Sequence, residues 1–114
     1  MAVLVSGSGT NLEAMFRARV PVHLVVADRP CPALQMATNH RVAAELVDRA
    51  AWGGFGPGFQ RVAYTEAVTE VLSSSRTDLA ALAGFGTVLA APIHDAFPGR
   101  VLNTHPSLLP AFKG

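Results

Sequence analysis

The sequence predicts an α/β fold, a Rossmann-like parallel sheet with flanking helices. Three observations carry that prediction. Short apolar runs alternate with segments whose apolar positions recur at helical spacing, the pattern that gives parallel strands joined by helical crossovers. The first run enters a glycine-rich turn that opens a helix. The chemically distinctive residues all fall at the carboxyl ends of runs, where open α/β sheets bind their ligands.

Taken in order, residues 2–5 form a continuous apolar run bounded by Ser6, Gly7, Ser8 and Gly9, which reads as a buried strand and its turn. Thr10 or Asn11 is placed to cap the next helix, with Leu12, Met15 and Phe16 at helical spacing and Glu13 in the first turn. Residues 22–27 are a second strand, started by Pro21 and stopped by Asp28, Arg29 and Pro30. A short helix is expected over 33–40, and residues 43–47 read as a third strand in preference to a continuation of that helix. Residues 48–59 carry Trp52, Phe55, Phe59, four glycines and a proline, a composition that reads either as a functional surface loop or as a mobile connection whose aromatics pack on their own domain. A helix over 61–72 turns Val68, Val71 and Leu72 inward, and a strand over 79–83 ends at Gly84, Phe85 and Gly86. A short helix over 89–96, interrupted near Pro92, leads to a last strand over 100–105. The first strand is expected at the centre of the sheet.

The chain has 114 residues, half of them hydrophobic and 15% charged, with a formal charge of +1. It carries no long like-charged run, so composition points away from nucleic acid and acidic membrane surfaces. Cys31 is alone, which excludes an intrachain disulfide and fits a reducing, cytoplasmic setting. The opening apolar run is too short for a signal segment or a membrane span. Residues 106–114 read as a loop leading onward. We therefore expect residues 1–114 to be the N-terminal part of a larger catalytic domain. A sheet cut there would leave apolar surface bare and favour self-association.

Two stretches carry chemistry. In the first, glycine amides and a helix N-terminus at residues 6–11 suit an anion, with a phosphate monoester and a plain capped turn as alternatives. Gly7-x-Gly9 with Leu12 in place of a third glycine, and Asp28 ending the second strand, also leave a dinucleotide site open. No Gly-Lys-Ser/Thr ending is present, which excludes a triphosphate P-loop. In the second stretch, Asn103 and His105 lie two apart at a strand end and so share a face. An amide donor beside an imidazole suits a reaction that builds an oxyanion and moves a proton. The alternative is a turn asparagine and a hydrogen-bonded strand-end histidine.

The Ser6-Gly7-Ser8-Gly9-Thr10-Asn11-Leu12 loop, Leu82-Ala83-Gly84-Phe85, and Leu102-Asn103-Thr104-His105-Pro106-Ser107-Leu108-Leu109-Pro110 together resemble the formyltransferase family. The resemblance runs from Val3 to the last residue, and its opening loop is similar to the branch acting on glycinamide ribonucleotide. It implies transfer of a formyl group from 10-formyltetrahydrofolate to the amine of that ribonucleotide in purine biosynthesis, without a metal. It implies that Gly9, Thr10 and Asn11 hold the ribonucleotide. Arg61 and Gly86, Thr87, Val88 and Leu89 then contact the folate, Asn103 binds the formyl group, and His105 is the catalytic acid. The family's catalytic aspartate would come from beyond residue 114. Gly86 departs from the bulkier residue common at its position, which bears on the shape of the pterin pocket.

The remaining candidates read as structural. His23 lies in an apolar strand, His40 and His94 lie in helical stretches without metal-ligand spacing, Arg100 flanks its strand, and Lys113 is a loop-end charge. Rival functions are formylation of another amine (a nucleotide sugar or methionyl-tRNA), a catalytically incomplete domain that binds a phosphorylated ligand, and a nicotinamide-binding domain.

Overall fold

Short apolar runs, buried at the centre and more exposed at the β3 edge, pair into a five-stranded parallel sheet in the computed structural model, which describes residues 1–104. The strands are β1 (Ala2–Val5), β2 (Leu24–Ala27), β3 (Ala43–Leu46), β4 (Ala80–Ala83) and β5 (Val101–Thr104), in the order β3-β2-β1-β4-β5. As expected, β1 is central. Both β1 and β2 are buried along their whole length, as strands covered on both faces must be.

Alternation along each strand divides the core into two layers. Val3, Val5, Val25 and Ala27 face the helices α1 (Thr10–Arg17) and α2 (Pro32–Asn39), with Leu12, Ala33 and Ala37 between them. Ala2, Leu4, Leu24 and Val26 face α3 (Arg61–Ser74) and α4 (Ala91–Ala96), against Tyr64, Val68, Leu72 and Ile93. The Tyr64 hydroxyl sits in that second layer and donates to the Val47 carbonyl at 2.6 Å. Burial, a cost to its phenolate, pushes its pKa above the ordinary tyrosine value.

Four local readings change. Neither Thr10 nor Asn11 caps α1; the cap is Gly9, at φ +88°, and Ser8 and Thr10 instead bond each other through their hydroxyls at 3.0 Å. A Cβ at Gly9 would lie 3.2 Å from both Ala33 and Met36, so the approach of α2 selects glycine there. Pro92 starts α4 rather than interrupting it, since the first turn needs no N–H from that position. Residues 48–59 are more ordered than their glycines suggest. Asp48 caps a 3₁₀ turn, Arg49–Trp52, by accepting from the Ala50 N–H at 2.9 Å, and the rings of Trp52 and Phe59 pack on Tyr64. The second strand begins at Leu24, leaving His23 just before it; its ring bonds Met1 and the Ser75 carbonyl and ties three loops together.

Candidate functional site

Two cavities open side by side at the carboxyl end of the sheet, and the end of β4 forms the wall between them. Ala83 and Gly84 line one; Leu82 and Phe85 line the other.

The first cavity, about 340 Å³, is shaped by the β1–α1 turn: Gly7, Ser8, Gly9, Thr10 and Asn11. The α1 ladder begins with the Glu13 N–H donating to the Gly9 carbonyl at 2.7 Å, so the amides before it have no intrahelical acceptor. Those amides and the hydroxyls of Ser8 and Thr10 make a donor-rich cradle at the positive end of a helix, the environment that suits an anion. Across the cavity Gly84 takes φ +71°, and a Cβ there would lie 3.8 Å from the Asn11 side-chain amide. Glycine at 84 keeps that mouth open.

The second cavity, about 260 Å³, is mainly apolar. Thr87, Val88 and Leu89 form one wall, Ile93 and His94 of α4 another, and Val101 and Asn103 of β5 the floor. Asn103 pairs in register with Leu82 and shares its face with Val101, which directs the carboxamide to this cavity. A mostly apolar cleft with a few convergent polar groups is the usual make-up of a small-molecule site. His105, and with it the Asn103–His105 pairing, lies outside the described residues, as does Lys113.

The other expected ligand residues fall around this second cavity. Arg61 opens α3 and donates from Nε to the Val88 carbonyl at 2.9 Å. Gly86 donates its N–H to Ser6 Oγ at 2.6 Å. A Cβ at Gly86 would approach Arg29 Nη2 to 3.1 Å, so a larger residue there would need that guanidinium to move. Thr87 is almost wholly buried, and its hydroxyl is engaged by Asp28 and Arg49.

Asp28, the candidate ribose acid, is unavailable for that role. It is fully buried, and Arg29 Nε and Nη2 hold its two oxygens at 2.9 Å each. Burial pushes its pKa up; hydrogen bonds from Arg29, Thr87 and Ser6 and the charge of Arg29 outweigh that and hold it below the ordinary aspartate value. Leu12, where a dinucleotide fingerprint has its third glycine, is fully buried between α1 and the sheet. The nicotinamide reading loses Asp28, its ribose-binding support, and Leu12 still stands against it.

Sequence reasoning passed over Phe85, Ile93, His94 and Arg49. Phe85 carried a signal, an aromatic between two glycines at a strand end. The others carried none, because their roles depend on how α4 and the 3₁₀ turn dock. Among the described residues, no group of three or more His, Cys, Asp or Glu is placed to hold a metal ion, and no helix is long and apolar enough to cross a membrane.

Fold and cavities together define a doubly wound α/β protein with two adjoining cavities, a donor-rich cradle and an apolar cleft divided by one strand end. The chain belongs to the formyl transferase family, whose model matches residues 1–114. It is 35% identical over 119 residues to the phosphoribosylglycinamide formyltransferase of Mycobacterium tuberculosis, covering all of this chain and 53% of that protein. It is 35% identical over 121 residues to the trifunctional purine biosynthetic protein adenosine-3 of Gallus gallus, covering 12% of that protein. Glycinamide ribonucleotide transformylase 1 from Symbiobacterium toebii superposes with a TM-score of 0.80 at 42% identity, over 97% of this chain and 53% of that one. The chain thus spans about half the length of its single-function relatives.

Proposed function

We propose that this chain forms the substrate-binding half of an enzyme that transfers a formyl group from 10-formyltetrahydrofolate to the amine of glycinamide ribonucleotide. One observation carries the reading: a phosphate-type cradle and an apolar cleft meet at a single strand end, with Asn103 on the cleft's floor. In this reading Gly9, Thr10 and Asn11 hold the ribonucleotide, its phosphate against the cradle. Phe85, Val88, Leu89 and Ile93 hold the donor's bicyclic ring, Thr87 and Gly86 shape that wall, and Arg61 lies at its mouth.

The chemistry follows from those positions. The substrate amine attacks the formyl carbon, and its lone pair becomes the new C–N bond while the carbonyl π electrons move onto oxygen. The Asn103 carboxamide N–H and a protonated His105 stabilise the resulting oxyanion, a term worth about 3–4 kcal/mol per well-placed donor. Collapse breaks the bond to the folate nitrogen, which takes its proton from His105, and the proton that the attacking amine loses returns to the neutral imidazole. A carboxylate beside His105 would favour the imidazolium. We place that group beyond residue 114. The two substrates are small molecules, and the setting is cytoplasmic.

Formyl transfer by the polypeptide carrying this chain tests the reading, with glycinamide ribonucleotide, a nucleotide-sugar amine and methionyl-tRNA offered in turn. We expect turnover with the ribonucleotide alone. Turnover confined to either of the other amines would reject it.

A further inference from the structure

We propose that Arg49 and Thr87 are positioning residues that hold the wall of the apolar cavity from behind. The inference rests on the reading that this cavity takes the formyl donor.

The wall is an irregular segment. Between the end of β4 and the start of α4 the chain forms neither helix nor strand, yet Phe85, Thr87, Val88 and Leu89 from this stretch line the cavity. Such a segment keeps one shape only where side chains anchor it. Five side chains hold four of the five residues 86–90. Gly86 N–H donates to Ser6 Oγ at 2.6 Å, and the Thr87 hydroxyl donates to Asp28 while accepting from Arg49 Nη1 at 2.9 Å. The Val88 carbonyl accepts from Arg61 Nε at 2.9 Å, and the Ala90 N–H donates to Thr65 Oγ1 at 2.9 Å.

Arg49 is the centre of this arrangement. It is 7% exposed and its Nε donates to the Gly54 carbonyl at 2.9 Å. Its guanidinium lies between two rings, 4.3 Å from the centre of Phe55 and 3.9 Å from that of Phe59. Arg29 stacks on Phe55 at 4.5 Å and Arg61 reaches Phe59 at 5.6 Å, so cations and rings alternate through five side chains. A planar fork is required: it bonds Gly54 and Thr87 at once while presenting both faces to aromatics. Neither Arg49 nor Asp28 lines either cavity, so both act through Thr87. With its hydroxyl turned to Asp28 and Arg49, Thr87 leaves only its carbon surface for the cavity.

The test compares binding of 10-formyltetrahydrofolate and glycinamide ribonucleotide by the full chain, with the urea unfolding midpoint measured alongside. Arg49→Lys and Thr87→Val are each expected to weaken the donor about tenfold, the scale of one lost buried hydrogen bond. Ribonucleotide affinity should stay at the wild-type value, and Thr87→Ser, which keeps the hydroxyl, should restore the donor. A role in stability alone would lower the bound fraction of both ligands equally. Folded variants that bind the donor as tightly as wild type overturn the inference, as does loss of cooperative unfolding in either variant. A wild-type chain that takes the ribonucleotide but not the donor overturns it too, and marks the failure as one of the donor reading.

Discussion

Asp28→Ala is expected to lower the free energy of unfolding by about 1–3 kcal/mol, the range for leaving a buried donor without its acceptor, since solvent reaches the Arg29 side chain. The cost arises on the side that remains. Arg29 loses its counter-charge, and the buried Thr87 hydroxyl loses the carboxylate to which it donates while still accepting from Arg49. Asp28→Asn, which keeps the shape, should recover part of the loss. The pH dependence has a definite sign. The folded carboxyl is more acidic than an ordinary aspartate, so its contribution is complete above the unfolded pKa of about 3.9. It is then lost as the pH falls through the lower folded value. Urea midpoints measured at neutral pH and below about pH 4 should therefore fall more steeply with acid in wild type than in Asp28→Asn. Equal slopes would show that Asp28 is not held ionised by its partners.

Asn103→Ala should lower the single-turnover rate of formyl transfer by about 10²–10³-fold, the effect of deleting one oxyanion donor. His105→Ala should lower it by about 10²–10⁴-fold, the range for a positioned general acid. Both are measured in the polypeptide carrying this chain. A second readout separates rate from binding: Asn103 lies on the floor of the apolar cleft, away from the glycine cradle, so ribonucleotide affinity should not follow the rate in Asn103→Ala. Asn103→Ala at the wild-type rate would remove the amide from the reaction.

Much of the frame is legible because it is local. The run at residues 2–5 is apolar without a break, glycines follow it, and a strand entering a tight turn is the outcome. Asn103 reaches the cleft because it lies two residues from Val101, a spacing that any strand respects. The rest depends on distant approach. Gly9 caps α1 because α2 comes within 3.2 Å of its missing Cβ, and nothing in the turn itself reports that. Arg49 sits among glycines and aromatics that read as a loop, yet partners 21 and 38 residues away, Asp28 and Thr87, bury it. Asp28 looked like a ligand acid because it ends a strand at a site; only its neighbour Arg29, folded back onto it, shows that both oxygens are taken.

Ligands on the two sides of the β4 end should perturb different amides, and chemical shifts of the ¹⁵N-labelled chain read this out. Saturating glycinamide ribonucleotide should move Gly7, Ser8, Gly9, Thr10, Asn11 and Gly84, while 10-formyltetrahydrofolate moves Phe85, Thr87, Val88, Leu89 and His94. Both ligands moving one common set, or the ribonucleotide leaving residues 7–11 unchanged, would contradict the account.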